Sequence, residues 1–251
     1  MKRLSVIIIT LNEEHNIREC LESVTWADEI VVMDSHSTDK TRTIAREYTQ
    51  HVYDVDWQGY AATKNLALEK TTGDWVLWID ADERVTDELA QTIKKVLEND
   101  SGSNGYEIPR KAYFLGCWIK HCGWYPGYVL RLVQRSHAQF DEQNVHEGFQ
   151  FSGRHRQLPF PLIHYTDRNI EHYFNKYNRY TSLAVQDMLT KGKSFRLLDL
   201  MFRPMFVFLK MYIFKRGFLD GLQGFILCTF SASYVFTKYA KLWEAQQRST
   251  D

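Results

Sequence analysis

Asp80 and Asp82, one residue apart in Thr72-Gly-Asp-Trp-Val-Leu-Trp-Ile-Asp-Ala-Asp-Glu-Arg84, are the residues whose type and spacing point most directly to chemistry. Two carboxylates so placed offer hard oxygen donors to a divalent cation. Mg²⁺ or Mn²⁺ held this way keeps open positions for substrate phosphates. Taken alone, Asp-x-Asp fits a strand end followed by a solvated acidic turn equally well.

The segments that must position the pair alternate in character. Residues 75–79, opened by Gly73, form a continuous apolar run that reads as a strand buried on both faces. Residues 4–10 and 29–34 are β-branched runs, the first ending in Asn12-Glu13-Glu14 and the second in Ser35 to Asp39. Each leads into a stretch of helical spacing, 16–24 and 40–48, with Asp39 placed to cap the second. A short strand at 51–55 and a helix over 59–70 complete the series before Asp80. Such alternation predicts a mostly parallel α/β sheet flanked by helices, with the polar strand ends on one edge. That edge is where open α/β sheets bind ligands.

Ser5-Val-Ile-Ile-Ile-Thr-Leu-Asn-Glu-Glu14, Val31-Val-Met-Asp-Ser-His-Ser-Thr-Asp-Lys-Thr41, Lys64-Asn65 and Gly73 to Asp82, in this order and spacing, resemble the inverting family-2 glycosyltransferases of GT-A fold. One departure is Ser35 after Asp34, where many relatives carry a second acid. Phe114-Leu-Gly-Cys-Trp-Ile-Lys-His-Cys-Gly-Trp-Tyr-Pro126, Arg131-Leu, Val145-His-Glu147 and Gly217-Phe-Leu-Asp-Gly221 look like the lipopolysaccharide core β-1,4-glucosyltransferase subgroup.

The resemblance implies a nucleotide-diphosphate sugar as donor, UDP-glucose in this subgroup, and an inner-core heptose of a lipid A-linked oligosaccharide as acceptor. It implies base and ribose contacts at Thr10, Asn12, Glu13 and Asp34, and Lys64 beside the diphosphate. Asp82 is then the direct ligand of Mg²⁺ or Mn²⁺, with Asp80 on the ribose or the metal's water shell and His146 as a third ligand. Inversion needs a carboxylate to take the acceptor's proton. Glu147 is the candidate, with Asp141 and Glu142 as rivals. Arg131 and the ring of Trp124 are candidate substrate contacts, and His164 and Tyr165 candidate acceptor contacts.

Composition sets further bounds. Lysine plus arginine balance aspartate plus glutamate at 31 each, so no overall field favours nucleic acid. Met1-Lys-Arg runs straight into a strand pattern, which predicts no cleavable signal and a catalytic half in the cytoplasm. Cys20, Cys117, Cys122 and Cys228 form no framework and suit reduced thiols. Cys117, His121 and Cys122 lack an evident fourth ligand for zinc.

Three segments are expected: a nucleotide-sugar-binding half over 1–100, an acceptor-binding half over 101–192, and a C-terminal helical tail over 193–251. In the tail, aromatic and aliphatic residues mix with Arg203, Lys210, Lys215 and Arg216. It reads as interfacial helices on an anionic membrane surface, peripheral on the inner face of the cytoplasmic membrane. A buried helical pair and a single span are the alternatives. Three competing activities are a same-fold transferase using another sugar for a surface polysaccharide or glycolipid, a receiver-type phosphoacceptor module, and a non-catalytic nucleotide-binding membrane protein.

Overall fold

The computed structural model describes residues 2–99, 102–141, 148–149 and 153–248. The chain forms two compact units, one of residues up to 110 with 127–164, the other of 111–126 with 165 onward, so the segment expected at 101–192 is divided between them while the tail expected from 193 falls within the second.

In the first unit β1 (Leu4–Thr10), α1 (Ile17–Glu22), β2 (Glu29–Asp34), α2 (Thr41–Ala45), β3 (Val52–Asp54), α3 (Tyr60–Glu69) and β4 (Trp75–Asp80) follow in alternation. Strands β3, β2, β1 and β4 lie side by side in that order, and all are parallel. Side-chain alternation splits their apolar residues between two layers. Leu4, Val6, Ile8, Trp75, Leu77 and Ile79 pack with α1, while Ile7, Ile9, Val76 and Trp78 pack with Ala67 and Leu68 of α3. Helices α1 and α2 are shorter than the spacing predicts. Both close in tight turns, Val24 N to Leu21 O at 3.0 Å and Tyr48 N to Ala45 O at 3.1 Å.

Beyond Asp80 the chain forms β5 (Glu83–Val85) and α4 (Asp87–Glu98). Thr86 caps α4 by accepting Leu89 N at 3.3 Å, and Leu89, Ile93 and Leu97 bury one face at four-residue spacing. Then come β6 (Gly105–Phe114), β7 (Cys117–Trp118), β8 (Gly127–Gln134), β9 (Phe140–Asp141), β10 (Gly148–Phe149), β11 (His155–Gln157) and β12 (Leu162–Asp167). β8 runs antiparallel to β4 and to β6, and β12 antiparallel to β5, so the sheet is mixed rather than parallel throughout.

The second unit holds the ends of β6 and β12, β7, α5 (Ile170–Thr190), α6 (Leu197–Leu209), a π turn over Lys210–Phe214, a 3-10 turn over Gly217–Asp220, and α7 (Gly221–Arg248). Asp220 is the polar pin of this unit. Its buried carboxylate accepts His121 N and pairs with His121 Nδ1, both at 2.8 Å, and accepts Lys120 N at 3.2 Å. The pin tethers the aromatic loop before Pro126 to the start of α7. Gly224 makes the joint possible, since a Cβ there would lie 2.1 Å from Gly217 O. Trp124 packs edge-on against Phe114 at 6.3 Å, in this unit's apolar cluster. Cys122 Sγ lies 3.6 Å from Cys228 Sγ. Among the described residues no helix is long and apolar enough to cross a membrane.

Candidate active site

Register brings the first site residues together. Thr10 pairs with Asp34 across β1 and β2, and Ile9 with Asp80 across β1 and β4, so all three polar ends emerge on the same edge. The two loops that follow β1 and β2 are laced to each other. Asn12, at φ 56°, donates its amide to Ser37 Oγ at 2.8 Å and accepts Thr38 N at 2.8 Å on Oδ1. Glu13 N donates to Thr41 Oγ1 at 2.8 Å, and the Glu13 carboxylate accepts Asn16 Nδ2 at 2.7 Å. Asp39, expected as a cap, accepts Thr41 N at 2.9 Å and so closes the first turn of α2 from just outside it.

Asp34 is wholly buried, and its carboxylate accepts Ser37 N at 2.7 Å and Ser37 Oγ at 2.5 Å. Its work here is to shape the loop. The buried hydroxyls of Thr10 and Ser35, by contrast, have no hydrogen-bond partner among the described residues. Buried polar groups ordinarily find one. An edge that carries two such hydroxyls is suited to a polar ligand.

The acids after β4 sit in a dense charge network. Arg131 is sealed from solvent, yet its Nη2 donates to Glu83 Oε1 at 2.6 Å and to Asp80 Oδ2 at 2.8 Å. Its guanidinium lies 3.6 Å from the centre of the Trp78 ring. Lys64, also buried, places its ammonium 3.9 Å from the same ring centre. Burial alone would raise the Asp80 carboxyl, but the charges of Arg131 and Lys64 and the Arg131 hydrogen bond hold it well below the usual carboxylate range. Glu83 behaves oppositely: burial, aided by the Asp80 charge, outweighs Arg131 and raises it. Arg110 is lowered by burial and by the neighbouring Arg131.

Asp82 faces His164, with Oδ2 3.5 Å from Nε2. Burial would lower the imidazole, but the bond and charge of Asp82, helped by Glu83, raise it above its ordinary value. The β5–β12 ladder sets this pairing, since His164 stands opposite Glu83.

Arg131, expected to contact substrate, is buried in β8 and holds Asp80 and Glu83 through Nη2. Glu83 and Arg110 join the site without belonging to any of the motifs above. Glu83 had a signal, as a third acid directly after Asp-x-Asp; Arg110, inside an unremarkable strand, had none. Asn65 also acts here: it donates to Phe140 O and accepts Phe140 N, both at 2.9 Å, and so pins β9 to α3. His146, Glu147 and Glu142 lie outside the described residues, as does the Asp141 side chain.

Among the described residues no three His, Cys, Asp or Glu side chains gather into a cation site. The donor chemistry of Asp80 and Asp82 nonetheless fits a hard divalent ion, since Asp80 is held as an anion and both residues offer carboxylate oxygens at or just beyond the end of β4. A cavity of about 820 Å³ opens at the other end of β4, lined by Gly73, Asp74 and Arg135, away from these acids.

A sheet edge with Thr10, Asp34 and Asp80 in register, followed by Asp82, defines a glycosyltransferase of GT-A type. The chain belongs to glycosyl transferase family 2, whose description matches residues 5–149. It is 32% identical over 253 residues to the lipopolysaccharide core biosynthesis glycosyltransferase LpsC of Rhizobium meliloti, with 96% of this chain and 92% of LpsC covered. The uncharacterized glycosyltransferase RT0209 of Rickettsia typhi is 31% identical, covering 99% of this chain and 89% of its own. In fold, the chain resembles the mannosyltransferase PcManGT of Pyrobaculum calidifontis, solved with GDP-Man and Mn²⁺, at a TM-score of 0.57 and 17% identity over 96% of this chain and 87% of that one.

Proposed function

We propose that this glycosyltransferase moves glucose from UDP-glucose onto an inner-core heptose of a lipid A-linked oligosaccharide, with inversion and with Mg²⁺ or Mn²⁺ bound at Asp82 and Asp80. The observation that carries the reading is the row of Thr10, Asp34 and Asp80 on one sheet edge, with an anionic Asp80 next to Asp82. The relation to LpsC supports a lipopolysaccharide core acceptor.

In this reading the base and ribose lie against Thr10, Asn12 and Glu13, where the hydroxyls of Thr10 and Ser35 are available for hydrogen bonding. The Lys64 ammonium offsets diphosphate charge from beneath the site. A divalent cation, when bound, supplies Lewis-acid stabilisation of the leaving diphosphate. Arg131 keeps Asp80 ionised and aimed. Glu147 accepts the proton of the acceptor hydroxyl while its oxygen bonds to the anomeric carbon and the bond from that carbon to the diphosphate breaks. The acceptor is lipid-linked, so the working place is the inner face of the cytoplasmic membrane, with the enzyme bound peripherally.

The test uses lipopolysaccharide from a strain lacking this protein, incubated with purified enzyme, Mn²⁺ and one nucleotide sugar at a time. Mass spectrometry should show one hexose added with UDP-glucose. Addition only from another donor overturns the sugar assignment, and no addition from any donor overturns the acceptor.

A further inference from the structure

We propose that the outward face of α6, continued through the turn after it and the first turn of α7, is a docking surface for an anionic lipid bilayer on which the enzyme lies without crossing. The proposal deepens the membrane location above and rests on it for its purpose, but the binding it describes is measured without sugar transfer.

No residue of α6 is buried, although the helix is densely apolar. Its inner side, through Leu200 and Phe208, joins the apolar clusters shared with α7. The other side carries Leu198, Met201, Phe202, Met205, Phe206 and Leu209, at alternating three- and one-residue steps that keep them on one stripe, and these are 42 to 67% exposed. Beyond the helix Phe214 is 76% exposed, Leu219 56% and Leu222 67%, which adds exposed apolar side chains in the segments that follow it. So many exposed large apolar side chains within one stretch of chain mark an interaction site rather than ordinary solvent-facing structure.

Charge selects the occupant. Between residues 193 and 219 stand six basic residues, Lys193, Arg196, Arg203, Lys210, Lys215 and Arg216, against one acid, Asp199, in a chain whose charges balance overall at 31 and 31. All six are exposed, and Asp199 is tied to Arg203 at 2.6 Å. Apolar side chains along a helix that is bordered by exposed cations match a surface with an apolar interior and anionic headgroups. No described helix is long and apolar enough to cross, so the element lies in the headgroup plane.

The experiment sediments the full chain with vesicles of phosphatidylglycerol and phosphatidylethanolamine, or of phosphatidylcholine alone, at low and high salt. Wild type should pellet with the anionic vesicles at low salt and be released in part by high salt. The triple variant Lys210→Glu, Lys215→Glu, Arg216→Glu should partition at least about a hundredfold more weakly, given the usual contribution of each basic residue near an anionic surface. Phe202→Ser with Phe206→Ser should weaken binding at both salt concentrations, with an unchanged circular dichroism spectrum as the folding control. Wild type that stays in solution with anionic vesicles overturns the proposal. So does equal binding to both vesicle types, or a concentration-dependent dimer that the Phe202 and Phe206 changes abolish, which would assign the face to a second copy. Failure of the sugar-transfer assay leaves the result of sedimentation intact.

Discussion

Arg131 and Glu83 face each other with both side chains closed off from water and 2.6 Å between Nη2 and Oε1. Breaking a buried pair leaves one charge uncompensated, at a cost of about 3–5 kcal/mol. Arg131→Met should therefore lower the unfolding free energy by about that amount in urea titration. Arg131→Lys should recover only part, because an ammonium lacks the planar guanidinium that lies over Trp78. A wild-type midpoint in Arg131→Met would show that the pair contributes nothing net.

Asp82 and His164 make a second, titratable pair. The folded imidazole is raised above its ordinary value, so its stabilising contribution is complete below that ordinary value and is lost as pH rises through the raised one. An NMR titration should place the His164 midpoint above that of a free histidine. In Asp82→Asn the midpoint should fall below the free value, because burial then acts without its partner. An unshifted midpoint in that variant would mean that Asp82 does not govern the ring.

Asp82→Asn should abolish transfer while the fold survives, and Asp80→Asn should act the same way but leave more activity. Turnover at the wild-type rate in Asp82→Asn, or in wild type with excess chelator, would remove these acids from metal binding. Glu147→Gln should bind UDP-glucose calorimetrically in the presence of metal yet lose at least about two orders of magnitude in turnover, the usual scale of a general base. If Asp141→Asn shows that pattern and Glu147→Gln stays active, the base is Asp141.

Asn65 tests whether the strand leading toward His146 and Glu147 must be held in place. Its two bonds to the Phe140 backbone use both the donor and the acceptor of a side-chain amide. Asn65→Leu should leave nucleotide affinity nearly unchanged and reduce kcat, whereas Asn65→Asp, which keeps the acceptor, should fall between. Equal loss of donor binding and turnover would point to a general packing defect instead.

Much of this was legible because it repeats at short range. The apolar runs ending in Thr10, Asp34 and Asp80 announce their strands, and alternation with helices implies the common edge on which they meet. α4 carried its own signals in Thr86, Asp87 and the spacing of Leu89, Ile93 and Leu97, yet no motif drew attention to them. The antiparallel half of the sheet was harder, because the pairing of β8 with β4 depends on partners more than fifty residues apart and leaves no local mark. For the same reason nothing in the sequence around Arg131 announces that its guanidinium meets two carboxylates, Asp80 and Glu83. Lys64 gave no hint that it would lie against an indole.

The ladder that aligns β4 with β1 has one more effect. Side chains on a strand alternate between faces, so a slip of one residue moves the whole set to the wrong side. Such a slip would drive Trp78 and Asp80 together into the layer filled by Leu4, Val6 and Ile8, and would hand Ile79 to the face of α3. The acid and the ring beneath it cannot be misplaced separately, and neither can be misplaced while the apolar layers close. Folding thus proofreads the reactive edge: a molecule whose interior has sealed has its carboxylate in position before any sugar arrives.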